Sequence, residues 1–326
     1  MTHHENFTSI SSTEILNQFN LKLSLFEDKK VWAVGGGKGG VGKSFLCANI
    51  AIELAAMGSK VIAIDLDLGG ANLHTCLGQK IPENTLSDYF SRKVLDIKDI
   101  ITTTDCENLS LISGAQDELG IANLKSSNKN SFLSDLKNLD ADYIIFDLGA
   151  GTSLNTLDFF ISADVGILAT LPEPTSIENT YRFLKSCFFR KIQHSENFYR
   201  ISHLLKRVSQ GKITSLTISP VEMLEEIKKI DIHLYNEFKL ELDKINYYLV
   251  MNQVRSLSEE NLGYSIEKIC KKYFGFSVNY LGQISYDPAV WQSIRVKKSL
   301  LQRYPNSNSA NELKELVAKL YQKESL

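Results

Sequence analysis

The chain has 326 residues, enough for one large domain or two ordinary ones, and is 43% hydrophobic and 23% charged, typical of a globular protein with a sizeable core. A net charge of −2 gives no global sign of a nucleic-acid or membrane partner, and five cysteines without a C-x-x-C pair argue against a disulfide scaffold or a two-cysteine metal half-site. Because the first thirty residues lack a signal-peptide core and no apolar run approaches the ~20 residues that span a bilayer, we expect a cytoplasmic location, with peripheral or polar placement as a refinement.

The first predicted elements are a polar leader at residues 1–29, with a short helix in "STEILNQFNLKLSLF", and then a series of short apolar runs. These runs are continuously apolar rather than alternating, which indicates strands covered on both faces. The predicted strands are 31–35, 61–65, 109–113, 143–147, 165–170, 247–252 and 278–284, and predicted helices include 44–58, 130–139 and 310–322. The alternation predicts an α/β fold of three layers, with a mostly parallel central sheet and helices on both faces.

A long, mainly helical stretch at about 190–245 exceeds what one crossover helix needs, so we interpret it as a helical insertion. Its charge is segregated: residues 182–212 hold eight Lys or Arg against one acid, and residues 222–243 hold seven acids against three lysines. One interpretation is a solvated helical hairpin. The other is a docking site for an unknown partner, with a basic arm that contacts DNA, lipid headgroups or an acidic protein. The cations that would form a DNA face are Arg190, Lys191, Arg200, Lys206, Arg207 and Lys212.

The segment "GKGGVGKS" at residues 37–44 matches the phosphate-binding pattern G-x-x-x-x-G-K-[ST] between a predicted strand and a predicted helix. Backbone N–H groups of consecutive small residues form an anion-binding nest, and the helix adds the positive end of its dipole. We expect Lys43 to bridge the β- and γ-phosphates and Ser44 to offer its hydroxyl to Mg²⁺, so the predicted cofactors are ATP and Mg²⁺. The predicted cradle comprises Gly37, Gly39, Gly40, Val41, Gly42, Lys43, Ser44 and Phe45.

Three aspartates follow predicted strands, where parallel sheets place their ligands. Asp65 and Asp67 end the second strand, and Asp147 ends "YIIFD", an apolar run followed by Asp that is typical of a Walker B strand. Alone, each aspartate is equally consistent with a helix cap or a turn. Together with the phosphate loop, the set predicts a site for magnesium and for an attacking water.

Further segments carry a family resemblance. Lys38 in "KGGVGKS" resembles the extra lysine of the deviant Walker A motif in the MinD/ParA family of P-loop ATPases. The segments "DLDLGGANLHTCLG", "FDLGAG", "LPEPTSIENTY", "VMNQVRS" and "ISYDPAVWQSIRVKKSLLQRYPNSNSA" are similar to other elements of that family. The likeness covers about residues 30–322 and is nearest to the FlhG/FleN flagellar-number regulators, with MinD a close second. It implies a P-loop NTPase fold, with residues 30–326 as one ATPase domain that contains the insertion.

The resemblance also implies roles for single residues. Lys38 would reach across an ATP-dependent homodimer to the partner's phosphates, while Lys43 would act on the nucleotide of its own chain. Asp67 would orient the attacking water, and Asp65 and Asp147 would support Mg²⁺ and the switch geometry.

On the base side, the resemblance implies that Asn252 contacts adenine and that Asp287 and Pro288 lie beside it.

The family's N-terminal DQAxxLR motif does not occur in residues 1–30, and only "KESL" follows the predicted last helix, so membrane association by an extra targeting helix is not expected. The predicted function is a slow ATPase switch that controls the placement or number of a cellular structure. Two alternatives stay open: a nucleotide-gated adaptor acting through the insertion, and a DNA-binding partitioning ATPase.

Overall fold

The computed structural model of the chain describes residues 29–114, 124–195, 197–209, 219–256, 259 and 261–324. The predicted leader helix lies outside the described residues. Eight strands form one sheet in the order β3-β4-β2-β5-β1-β6-β7-β8, and all neighbours run parallel except β3 and β4. The strands are β1 Lys30–Gly35, β2 Val61–Leu66, β3 Ile101–Thr103, β4 Leu109–Ile112, β5 Tyr143–Leu148, β6 Val165–Thr170, β7 Tyr247–Val254 and β8 Val278–Ser285.

Helices connect these strands, and a 3₁₀ turn at Ile97–Ile100 precedes β3. None of the described helices is both long and apolar enough to cross a membrane. The helices are α1 Lys43–Ala56, α2 Leu73–Cys76, α3 Leu86–Phe90, α4 Ser126–Leu136, α5 Leu154–Ser162, α6 Pro174–His194, α7 Phe198–Ser209, α8 Pro220–Ile230, α9 Ile232–Asp243, α10 Leu262–Phe274, α11 Pro288–Arg295, α12 Leu300–Arg303 and α13 Asn308–Glu324.

Both faces of the sheet are buried, because side chains alternate between two apolar cores along each strand. In β1, Val31 and Ala33 join one core, and Trp32 and Val34 join the other. The first core is covered by α4, α5, α6 and α8 to α10, and the second by α1, α12 and α13. The predicted three-layer α/β fold with a mostly parallel sheet is confirmed.

Four helices lie in the described part of the connection from β6 to β7. The first, α6, is the ordinary crossover helix, and α7 to α9 follow it within the stretch expected to be helical. Phe238 and Leu242 of α9 and Met223 of α8 belong to the same core as α6, so these helices are packed onto the domain. Among the strands that the structure describes, β3 was not predicted; it is a three-residue antiparallel edge strand whose residues are not fully buried.

Some of the cations in the basic part of the insertion pair with acidic groups of the same chain. Arg200 pairs with Asp231 and Glu237 at 3.1 and 3.2 Å, and Arg190 pairs with the buried Asp158 at 2.6 Å. Burial lowers the pKa of Lys191, and the charge of Glu241 opposes that shift. Three of the six cations proposed for a DNA face therefore lie against acidic groups of their own chain. The side chains of the other three lie outside the described residues.

Candidate functional site

The loop between β1 and α1 has the geometry of an anion-binding nest. Gly40 and Gly42 have φ values of 78° and 94°, in the left-handed region that glycine adopts at low cost. Helix α1 begins at Lys43 with no side-chain cap, and its first turn holds no acidic residue. The N–H groups of this helix end therefore face the loop without a competing carboxylate, as phosphate binding requires.

The glycines of this loop serve two different purposes. A Cβ on Gly37 would lie 2.1 Å from the backbone oxygen of Asn179, and a Cβ on Gly42 would lie 2.2 Å from Nδ2 of Asn252, so both positions are fixed by packing. A Cβ on Gly39 would meet nothing within 4 Å. Contacts with Asn179 and Asn252 therefore fix one side of the loop, while the side at Gly39 has space for a ligand.

Lys43 lies at the base of the loop, with its side chain largely buried and Nζ 3.5 Å from the backbone oxygen of Lys38. Burial lowers the pKa of Lys43, and the charges of Asp147 and Asp67 oppose that shift. The structure thus brings together the loop lysine and the carboxylates of two different strand ends, as the sequence analysis expected.

Asp147 ends β5 and is 1% exposed, yet neither of its carboxylate oxygens accepts a hydrogen bond of good geometry. Burial, and after it the charge of Asp65, raises the pKa of Asp147 well above its usual value, while the neighbouring Ser44 hydroxyl and Lys43 act in the opposite direction. A buried carboxylate without a partner is costly. Mg²⁺ is a hard ion that takes one or two protein oxygens and completes its shell with water and phosphate. Ser44 and Asp147 fit that role.

Within the described residues, no three His, Cys, Asp or Glu side chains come close enough together to form a metal cage of their own. A magnesium site here would therefore draw most of its ligands from phosphate and water, which is how Mg²⁺ is usually held beside nucleotides.

Asp65 is fully buried and shapes the loop after β2. Its Oδ1 accepts the N–H of Asp67 at 3.1 Å, and its Oδ2 accepts the N–H of Leu73 at 2.9 Å. Burial raises the pKa of Asp65 to about 7, against the effect of these two hydrogen bonds. Because both oxygens are engaged, the geometry favours a role in holding the Asp67 loop over direct metal ligation.

Asp67 is half-buried and faces the loop that follows β5. Its Oδ1 lies 3.1 Å from the position that a Cβ on Gly149 would take, so the loops after β2 and β5 touch each other. The N–H of Gly151 in turn donates to the oxygen of Gly36 at 3.3 Å. The loop after β5 therefore touches both other loops that would surround a γ-phosphate.

Lys38 lies at the rim of the site and binds its own chain. Its Nζ is 3.0 Å from Oε2 of Glu173 and 3.3 Å from Oγ1 of Thr175, both at the start of α6. The predicted contact of Lys38 with the phosphates of a second subunit requires a dimer, and it stays a prediction. Sequence reasoning identified "LPEPTSIENTY" as a family segment but assigned Glu173 and Thr175 no role.

The residues predicted to bind the base are engaged within the chain. Nδ2 of Asn252 donates to the backbone oxygen of Val41 at 2.9 Å, so this side chain clamps the phosphate loop. Asp287 caps α11 by accepting the N–H of Ala289 at 2.8 Å, and Pro288 is the first residue of that helix. Phe45 is buried in the core beneath the loop. Contact of these residues with adenine stays a prediction.

A cation–π pair on the base side was not predicted from the sequence. The guanidinium of Arg255 lies 4.3 Å from the ring centre of Tyr286, and the N–H of Tyr286 donates to the oxygen of Val254 at 2.8 Å. Both residues directly follow strands, and that shared position was the available signal.

One known protein family matches most of this chain. The family model described as the CobQ/CobB/MinD/ParA nucleotide binding domain matches residues 32–301. The antiactivator FleN of Pseudomonas aeruginosa is 23% identical over 293 residues, which cover 89% of this chain and 86% of FleN. The flagellum site-determining protein YlxH of Helicobacter pylori is 30% identical over 205 residues, 61% of this chain and 67% of YlxH.

Among solved structures, the septum site-determining protein MinD of Pyrococcus horikoshii, complexed with Mg-ADP, aligns with a TM-score of 0.63 and 20% identity. The alignment covers 91% of this chain and 97% of that one, and it shows a common fold. The family match spans most of the described sheet and the entire phosphate loop. The chain therefore belongs to the CobQ/CobB/MinD/ParA family of P-loop nucleotide-binding ATPases.

Proposed function

We propose that this protein is an ATP-binding and ATP-hydrolysing dimerisation switch of the MinD/ParA type. The observation that carries the proposal is the buried, unpartnered carboxylate of Asp147 beside Ser44 and Lys43, at the base of a glycine loop with an open outer surface. The likeness to FleN and YlxH supports a role in setting the number or site of flagella, with division-site placement as the MinD-like alternative.

The binding step uses the chain's own charges. The backbone N–H groups of the loop and the ammonium of Lys43 would neutralise the β- and γ-phosphates. Mg²⁺, which the complex of the related MinD with Mg-ADP supports for the family, would be held by Ser44 and Asp147 and would polarise the phosphoryl oxygens. Filling this pocket relieves the cost of burying Asp147 alone.

The hydrolytic step would use the two loops that touch at Asp67. Asp67 would accept a hydrogen bond from the attacking water and so orient it toward the γ-phosphate. Asp65 would act as a positioning residue, because its hydrogen bonds to the N–H groups of Asp67 and Leu73 fix the loop. Slow turnover suits a switch in which the γ-phosphate orders these loops.

Dimerisation would redirect Lys38. In the single chain its partners are Glu173 and Thr175, and both Lys38 and Glu173 are substantially exposed. Exposed ion pairs contribute at most about 1 kcal/mol. Losing the ion pair with Glu173 would therefore cost little free energy. The triphosphate on a second subunit carries more negative charge than Glu173 and would attract Lys38 more strongly.

The test combines ATP turnover with size-exclusion chromatography of wild type and Asp67→Ala. We expect the wild type to hydrolyse ATP slowly and the variant to accumulate as an ATP-bound dimer. Asp140→Ala is the matched control, since Asp140 is exposed and its Lys60 partner lies on the surface. An Asp67→Ala protein that binds ATP but stays monomeric contradicts the dimerisation switch.

A nucleotide-gated adaptor acting through the insertion is the second candidate, because α9 exposes Leu240 and Ile232 to solvent. The double variant Leu240→Ser/Ile232→Ser leaves the buried Phe238 and Leu242 in place. The adaptor hypothesis expects loss of a protein partner in pull-downs with unchanged nucleotide affinity. A partitioning role on DNA is less favoured, since Arg190 and Arg200 pair with acids of their own chain.

A further inference from the structure

A cavity opens at the edge of the sheet opposite the phosphate loop, and none of the roles given above uses it. The first two residues of β2 and of β4 line it, and its volume is about 520 Å³, within the range of roughly 300–1,000 Å³ typical of small-molecule sites. Along β2, Ile62 lines the cavity, and Asp67 of the nucleotide site lies five residues further on. Because five residues of extended strand span roughly 17 Å, the cavity and the nucleotide site are separate.

The floor of the cavity is one row of side chains across three strands. Ser110 of β4 pairs with Ile62 of β2 on one side and with Thr103 of β3 on the other. Directly paired residues of neighbouring strands point to the same face of the sheet, and Ile62 belongs to the first core. The sheet changes at the cavity from apolar to hydroxyl-bearing side chains, because the next row on that face consists of Ile64, Ile112 and Ile101.

The two hydroxyls of this floor are available to a ligand. Within the described part of the chain, neither Oγ of Ser110 nor Oγ1 of Thr103 makes a hydrogen bond. The neighbouring Thr104 differs, because its hydroxyl donates to the oxygen of Leu109 at 2.8 Å. Paired residues of antiparallel strands have their Cβ atoms about 5 Å apart. At that spacing the hydroxyls of Ser110 and Thr103 can donate to the two oxygens of one carboxylate.

Apolar side chains adjoin these hydroxyls. Ile101 and Leu139 line the cavity together with Ile62. Ile62 and Leu139 are buried members of the first core, and Ile101 packs against that core. The cavity therefore suits a ligand that has an apolar body and a head with hydrogen-bond acceptors.

Four charged residues also line the cavity, and only one of them is a cation without an acidic partner. Nζ of Lys60 lies 2.7 Å from Oδ2 of Asp140, so these two charges neutralise each other. Within the described residues, neither Lys98 nor Glu107 forms an ion pair.

The two unpaired charges belong to different sides of the sheet. Lys98 lies in the 3₁₀ turn whose Ile97 and Ile100 belong to the first core, on the face that carries the hydroxyls. Glu107 follows Cys106, which packs against the second core and accepts a hydrogen bond from Gln302 of α12. The charge nearer to the hydroxyl floor is therefore the ammonium of Lys98.

We propose that this cavity binds a small amphipathic carboxylate, with an aryl or alkyl body. The carboxylate accepts hydrogen bonds from Ser110 and Thr103 and pairs with Lys98, while the apolar body rests on Ile62 and Leu139. A phosphate head fits less well, because the cavity offers one unpaired lysine instead of the glycine nest and buried lysine of the nucleotide site. A hydrocarbon without a polar head would leave both hydroxyls unpaired.

The test uses two probes of nearly the same shape, 3-phenylpropionate and its neutral amide, 3-phenylpropanamide. Saturation-transfer NMR titrations of the full-length protein measure their affinities with and without Mg-ADP. We expect saturable binding of the acid, unchanged by Mg-ADP, and about fivefold weaker binding of the amide, which forms no ion pair with Lys98. Equal affinities for acid and amide overturn the proposal. Displacement of the acid by Mg-ADP also overturns it, because the acid would then bind at the phosphate loop.

Two charge variants at exposed positions leave the core untouched and report the sign of the head group. Lys98→Gln should weaken binding of the acid up to about fivefold, and Glu107→Gln should tighten it about twofold. Effects of opposite sign do not arise from a general loss of structure. Lys80→Gln is the matched control, since Lys80 is exposed and lies outside the cavity lining. If Lys98→Gln binds the acid as the wild type does, or Glu107→Gln weakens binding, the head group is not recognised as an anion and the proposal is wrong.

A third variant tests the floor itself. Ser110→Ala/Thr103→Val removes both donors with little change of shape and should weaken binding of the acid about tenfold. Ser134→Ala on α4 is the control, at an exposed position outside the cavity lining. Urea unfolding measures any loss of stability separately. Wild-type affinity in the double variant would place the probe elsewhere and overturn the proposal. Because the acid is also titrated without nucleotide, its failure to bind leaves the ATPase proposal untouched.

Discussion

The side-chain amide of Asn252 donates a hydrogen bond of 2.9 Å to the backbone oxygen of Val41, although 211 residues separate them in sequence. Oδ1 of Asn252 in turn accepts the N–H of Gln253, which has a φ of 58°. The end of β7, the strand that follows the insertion, thus fixes the position of the phosphate loop. This contact links the nucleotide site to the strand that follows α9.

Asn252→Ala should weaken ADP binding about tenfold, because a lost buried hydrogen bond costs about 1–3 kcal/mol and leaves the loop less ordered. The measurement is calorimetric titration with Mg-ADP. Asn236→Ala, at an exposed position of α9, is the control and should bind as the wild type does. Unchanged affinity in Asn252→Ala would show that the loop holds its geometry without this clamp.

Gly39→Ala and Gly37→Ala should separate ligand binding from folding. The methyl group on Gly39 meets no protein atom within 4 Å, so the variant should fold normally and lose nucleotide affinity. On Gly37 the methyl group would lie 2.1 Å from a backbone oxygen, so that variant should lose stability first. Urea unfolding and nucleotide titration measure the two effects. A Gly39→Ala protein with wild-type affinity contradicts the open cradle.

The stability of the nucleotide-free protein should depend on the titration of Asp65. Its pKa is raised to about 7 by burial, so the folded state favours the protonated form. This contribution is complete below the usual pKa of 3.8 and is lost as the pH rises through about 7. The melting temperature should therefore fall between about pH 4 and about pH 7 and level off above that range.

The Asp65→Asn side chain carries no charge over this pH range, so the melting temperature of this variant should fall less steeply than that of the wild type. Asp140→Asn, at a surface position, is the control for the slope. Parallel pH curves for wild type and Asp65→Asn would exclude Asp65 as the titrating group.

Asp158 should be the carboxylate on which the α4–α5–α6 contact depends. It is buried and pairs with Lys129, with Arg190 at 2.6 Å and with His194 at 3.0 Å. Burial raises the pKa of Asp158, but its three partners outweigh burial and hold that pKa below its usual value. Asp158→Ala leaves buried cations uncompensated and should cost about 3–5 kcal/mol in urea unfolding. A loss comparable to that of the exposed Asp140→Ala would contradict this assignment.

Much of the fold was predictable because its strands are continuous apolar runs that end on polar residues. The run at 165–170 was predicted with its observed bounds, and the strand at 143–147 is one residue longer in the structure. Residues Ile101–Thr103 were missed because a short edge strand depends on its partner β4 and lacks the composition of a buried one. The loop and its aspartates were predictable because local spacing sets their place at strand ends.

Contacts between distant segments were not predictable. The partners of Lys38 lie about 135 residues away, at Glu173 and Thr175, and no spacing rule connects them. The clamp from Asn252 to Val41 depends in the same way on how β7 lies beside the phosphate loop. The pairing of Arg200 with Asp231 and Glu237 was unpredictable for the same reason, because it depends on how the helices of the insertion pack together.

The most direct test of the central claim mixes two variants that each lack one part of the proposed site. Lys38→Ala keeps Asp67, and Asp67→Ala keeps Lys38, so neither should hydrolyse ATP alone. In a mixed dimer, the Asp67→Ala chain donates Lys38 to the intact water site of the Lys38→Ala chain, and ATP turnover should return. If the mixture stays as inactive as its components while each chain still binds ATP, Lys38 does not act across a dimer and the proposed switch is wrong.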